Sequence, residues 1–99
     1  MALVVRIKAR AVREIHQAAR WWAVHRPSAP GAIESDVAAA LAALVEQPEI
    51  GSKVDNARAA ETRRVYLARV GYFLYYRPKG QFLDVVAFWH SSRERKPGV

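Results

Sequence analysis

Apolar residues recur at helical spacing in the first half of the chain and at strand spacing in the second. Val12, Ile15, Ala19 and Trp22 follow one another at steps of three, four and three, which places them on one face of a helix over Ala9 to His25. Arg13, Gln17 and Arg20 form the opposite, solvated stripe. Pro27 stops this helix, because proline lacks an amide hydrogen and pushes the preceding residue out of helical geometry. A second helix is marked by Ser28 as N-cap, by Pro30 where a missing donor costs nothing, and by Glu34 and Asp36 near the positive helix end. Its apolar stripe is Ile33, Val37, Ala40, Leu41, Leu44 and Val45, and Pro48 closes it. Ahead of both helices, Leu3 to Lys8 is short and rich in β-branched residues, which predicts a strand.

The period then changes to two. Glu49 to Glu61 has no sustained pattern and contains Gly51, Asp55 and Asn56, so it is expected to be a loop and the most mobile part of the chain. Arg63 to Arg69, Gly71 to Arg77 and Gln81 to His90 read as three strands, and their short connections require antiparallel pairing. Pro78-Lys79-Gly80 supplies the second turn. Strict alternation puts Phe82, Asp84, Val86, Phe88 and His90 on one face of the last strand and Leu83, Val85, Ala87 and Trp89 on the other. The expected fold is α+β: an N-terminal strand, an antiparallel two-helix hairpin, then three antiparallel strands completing a four-stranded sheet. One domain of this kind accounts for residues 1–99.

Charge narrows the partners. The formal net charge is +7, and arginine outnumbers lysine, which favours planar, forked contacts to carboxylates or phosphates. Without cysteine there are no disulfides, thiolate nucleophiles or cysteine-based zinc sites. His16, His25 and His90 are too dispersed for a metal site, so neither metal nor cofactor is expected. No segment reaches the roughly 18 apolar residues needed to span a bilayer, and the start, MALVVRIKAR, has no cleavage-like site. No membrane association is expected, and a cytoplasmic location is.

The order of elements, together with Arg20-Trp21-Trp22, Gln47-Pro48-Glu49-Ile50-Gly51, Tyr75-Tyr76-Arg77 and Phe88-Trp89-His90-Ser91-Ser92-Arg93, resembles the RelE/ParE superfamily of toxins from type II toxin–antitoxin modules. The resemblance covers nearly the whole chain. It implies a compact toxin neutralised by a cognate acidic antitoxin, with operator DNA met only through that antitoxin. It also implies one of two targets: DNA gyrase for ParE-like members, which need no catalytic site, or the ribosome and its mRNA for RelE-like nucleases.

Metal-free RNA cleavage needs an acid or base and cations around the reacting phosphate. Under the nuclease reading these are His90 and Arg77 at the ends of neighbouring strands, with Arg64 or Arg63 adding charge. Some nuclease branches carry a stacking tyrosine after the last strand or a cluster of lysines in the central loop. Here Ser91-Ser92-Arg93 follows the strand, and the loop holds only Lys53. The ending Trp89-His90-Ser91-Ser92-Arg93 is closer to the ParE side, so gyrase inhibition by binding is the favoured reading. His90 is then a strand-end imidazole held by a backbone group or by Arg93, and His16 and His25 are surface residues. Trp21, Arg58, Arg63, Arg64, Arg69, Arg77 and Arg93 are the candidate contacts for target or antitoxin. A third reading, a basic sheet that binds nucleic acid by stacking and phosphate pairing, uses the same arginines.

Overall fold

A computed structural model describes residues 2–55 and 57–99. The chain forms β1 (Val4–Ile7), α1 (Ala9–His25), α2 (Ala32–Leu44), β2 (Ser52–Lys53), β3 (Arg63–Leu67), β4 (Tyr72–Lys79) and β5 (Phe82–His90). The strands make one mixed sheet in the order β1-β5-β4-β3-β2, with β1 parallel to β5 and every other pair antiparallel. The α+β order matches the expectation, but the sheet has five strands where four were expected. The extra strand, β2, lies inside the stretch read as loop and pairs Ser52 with Arg64 and Lys53 with Arg63. Asn56, in the same stretch, lies outside the described residues.

The helices pack on each other and α1 lies across β5. On α1 the fully buried positions are Ala11 and Ala18, flanked by Ile15, Ala19 and Trp22. Two alanines at the centre of the ridge let the helix approach the sheet closely, while the larger side chains fill the flanks. On α2, Ala32, Ile33, Val37 and Leu44 are buried. The cap of α2 differs from the expectation: Gly31, not Ser28, is the N-cap, at a φ of 74° that glycine tolerates best. Its carbonyl accepts from the Ser35 amide at 2.9 Å, and the helix begins at Ala32.

One irregularity decides which residues face α1. The β4–β5 register runs Tyr75↔Ala87 and then Tyr76↔Val85, so Val86 is an extra residue, a β-bulge. The bulge interrupts the strict alternation expected for β5. Leu83 and Val85 before it and Phe88 after it all join the core under the helices, and His90 follows Phe88 to that side. Asp84 points to the outer face, paired in register with Arg6 and Arg77.

Beyond the end of β1 the upper part of β5 would be an open edge. There Glu14 of α1 takes the place of a strand: its Oε1 accepts the Phe88 amide at 2.8 Å, and its Oε2 accepts from Arg10 Nε at 3.2 Å.

Candidate functional site

The β4–β5 ladder has two chemically different ends. At the end near Asp84 the arginines are tied down. Asp84 is 3% exposed and accepts a bidentate pair of bonds from Arg6 at 2.7 and 3.1 Å, with Lys8 at 3.9 Å. The Arg6 hydrogen bond holds the Asp84 carboxyl below its ordinary value, against the opposing effect of burial. Arg77 donates to Thr62 Oγ1 at 3.1 Å and to the Val99 oxygen at 3.2 Å. Nearby, Tyr76 accepts from the Gly51 amide at 2.8 Å and donates to the Pro48 carbonyl at 2.7 Å. Arg63 donates to the carbonyls of Glu49 and Gly51 at 3.2 and 2.6 Å. The Pro48-to-Gly51 segment is thus clamped onto the sheet. Burial raises the Tyr76 phenol above its ordinary value, with the Gly51 bond opposing.

The other end is open. A cleft of about 370 Å³ lies between α1 and the ends of β4 and β5, lined by Gln17, Trp21, Tyr72, His90, Ser92 and Arg93 among others. Its floor is the Tyr72–Phe88 pair, stacked with centroids 4.5 Å apart. Burial raises the Tyr72 phenol, and the nearby Arg93 opposes this. Trp21, 46% exposed, stacks on His25 at 4.3 Å and forms one wall. Arg93 lies 4.0 Å over the Trp89 ring.

His90 Nδ1 receives the Ser92 amide at 3.1 Å and lies 2.6 Å from Ser92 Oγ. A backbone amide can only donate, so Nδ1 is the acceptor and the neutral ring carries its proton on Nε2. The partner of His90 is therefore Ser92.

The structure separates the residues expected to act together in a nuclease. His90 is paired with Tyr72 and Arg77 with Asp84, five residues apart on β4, or about 17 Å at 3.4 Å per residue. The expectation that they meet fails because ends of antiparallel neighbours that share a chain sense lie at opposite ends of a sheet. The bulge then turns His90 toward α1. Arg64 is on the outer face, where its Nη1 donates to the Tyr75 hydroxyl at 3.2 Å and its guanidinium sits 4.1 Å over Phe73.

Of the other candidates, Arg69 bonds Asp36 at 2.6 and 3.2 Å, which raises its guanidinium value and fixes the β3–β4 turn to the start of α2. Arg58 is exposed in the β2–β3 connection. Of the candidate contacts for target or antitoxin, Trp21 and Arg93 line the open cleft, beside His90. Sequence reasoning missed Tyr72, Gln17 and Phe88 as cleft residues. It also missed Arg6, although a carboxylate within the apolar run Leu83 to Phe88 signals a need for a cation. Among the described residues no group of three His, Asp or Glu side chains is placed to hold a metal ion, and no helix is long and apolar enough to cross a membrane.

Residues 5–95 match the sequence profile of the ParE toxin of type II toxin–antitoxin systems, parDE. The chain belongs to the ParE toxin family. The fold agrees: a solved structure described as the chromosomal ParDE toxin–antitoxin system from P. aeruginosa superposes with a TM-score of 0.71 at 14% identity, over 90% of this chain and 96% of that one. A search of curated proteins returned no match. As a ParE-family toxin, the chain has an antitoxin partner implied by its family.

Proposed function

We propose that this ParE-family toxin arrests growth by binding DNA gyrase in the cytoplasm, and that an acidic antitoxin neutralises it by covering the open end of the sheet. The observation that carries the binding mode is the β4–β5 register, which holds His90 and Arg77 apart and spends Arg77 and Arg63 on the chain's own oxygens. A phosphate in the cleft would meet His90 and Arg93 without those arginines. The net charge of +7 and the aromatic cleft suit an acidic segment that inserts apolar side chains.

The test places the purified toxin in a gyrase supercoiling assay and, in parallel, in a translating extract where mRNA ends are mapped. Loss of supercoiling with intact message is expected. Message cut at the ribosome with supercoiling unaffected would replace this reading with the nuclease one and make His90 a catalytic candidate. Antitoxin association should slow as salt rises, because exposed charges that steer encounter are screened over about 10 Å at 0.1 M.

A further inference from the structure

We infer that the solvent-facing side of α1 is a contact surface for the phosphate backbone of duplex DNA. Opposite the Ala11–Ala18 ridge the helix presents Arg13, Gln17 and Arg20, flanked by Arg10 and His16, and these side chains share one shallow concavity with Glu14. Arg10 to Arg20 spans about 15 Å at 1.5 Å per residue. Over that length one DNA strand offers about four phosphates at one per 3.4 Å.

The charge on this face is only partly compensated, because Glu14 pairs with Arg10 alone, at 3.2 Å. Glu14 is the one carboxylate on α1, and both its oxygens are engaged, by the Phe88 amide and by Arg10. Among the described residues Arg13 and Arg20 have no carboxylate within ion-pairing distance. The same region gathers further cations: Arg10 and Arg93 both sit over the Trp89 ring, at 5.7 and 4.0 Å. The basic segment Arg93 to Lys96 is held beside them by the bond from Trp89 Nε1 to the Arg95 carbonyl at 2.6 Å. Like charges brought together by the fold repel, and a polyanion relieves that repulsion.

The chemistry of the face selects DNA over a protein. From Arg10 to Arg20 the exposed side chains are guanidinium, imidazole and amide groups, all able to donate to phosphate oxygens. The face has no apolar anchor in that stretch, whereas protein interfaces concentrate their energy in buried aromatic or aliphatic anchors. The exposed large apolar residues of α1, Trp21 and Val24, lie in its last turns, Trp21 against the cleft. The contact is to the backbone alone and carries no sequence preference. It differs from the expectation that DNA is met only through the antitoxin, and it stands whether or not gyrase is the target.

The test measures binding of the purified chain to a 20-base-pair duplex of arbitrary sequence across a salt series. The Arg13→Ala/Arg20→Ala double variant should lower the slope of log K against log salt by about 1.8, two contacts at roughly 0.9 each, and weaken binding about tenfold or more at 0.1 M salt. Lys53→Ala/Lys79→Ala removes the same charge away from α1 and should leave the slope within about 0.5 of the parent. Equal losses in the two double variants would reduce the effect to net charge and overturn the assignment. So would absence of salt-dependent DNA binding by the parent chain. If Arg13→Ala/Arg20→Ala lost antitoxin capture while binding DNA normally, the face would belong to a protein partner instead.

Discussion

The two ends of the β4–β5 ladder use the same residue types for opposite purposes. At the Asp84 end, arginines and a tyrosine hydroxyl are consumed by the protein itself: Arg6 by a buried carboxylate, Arg63 and Tyr76 by loop carbonyls, Arg77 by Thr62 and the final residue. At the His90 end, Tyr72, Trp21 and Arg93 surround open space. Counting arginines cannot distinguish a cation that stabilises the fold from one available to a partner. Their hydrogen-bond partners can. Substitutions at the first end should therefore act on stability, and those at the second on binding.

The largest effect is expected from Gly51→Ala. A Cβ there would lie 2.8 Å from the Arg64 carbonyl and 2.5 Å from the Tyr76 hydroxyl, neither of which can retreat without breaking the clamp. Overpacking together with a lost buried hydrogen bond should cost about 2 to 4 kcal/mol, read as a lower urea midpoint. An unchanged midpoint would mean the clamp contributes nothing.

Arg6→Ala comes next, because it leaves a buried carboxylate without its bidentate partner. The expected loss is about 2 to 3 kcal/mol, moderated by Lys8. The same pair has a pH signature. Asp84 is held below its ordinary value of 3.8, so the folded state binds that proton less tightly than the unfolded one. Its contribution is complete above the ordinary value and is lost as pH falls through the lower folded value. Acid unfolding curves of the parent should therefore be steeper in this window than those of Arg6→Ala, and superimposable curves would remove the pair from the account.

At the open end, Trp21→Ala and Arg93→Ala should leave stability within about 0.5 kcal/mol, as usual for exposed positions. Antitoxin dissociation should instead quicken, and a central tryptophan anchor is typically worth about 2 kcal/mol or more. A large stability loss with unchanged dissociation would erase the distinction between the ends. The smallest effect belongs to His90→Gln. The glutamine oxygen can accept the Ser92 amide in place of Nδ1, so toxicity in cells should persist, and its complete loss in a folded variant would show that the imidazole has a chemical role.

The element order was legible because the helices and long strands announce themselves by period. Ser52-Lys53 was not, since a two-residue strand has no period and is made by backbone pairing alone. The bulge was hidden for a related reason: within Val85-Val86-Ala87 every residue is apolar, so no polar residue marks the position where alternation slips. That slip decides the face of His90, and with it the cleft. Trp21 and Arg93 were found from local context, whereas Tyr72 resembled any other strand aromatic until its pairing with His90 placed it at the open end.

Glu14 has a consequence for how the toxin behaves in a crowded solution. A β-strand whose amides point outward is a template on which another chain can polymerise, and apolar strands such as Phe82 to Trp89 are the most dangerous kind. By seating a carboxylate on the Phe88 amide, the helix plugs the stretch of β5 that β1 is too short to shield. Sheet extension is thereby confined to the outer strands. One of them, β1, carries Arg6 and is followed directly by Lys8, charges that oppose the stacking of identical copies. The same side chain that anchors α1 also guards the solubility of the chain.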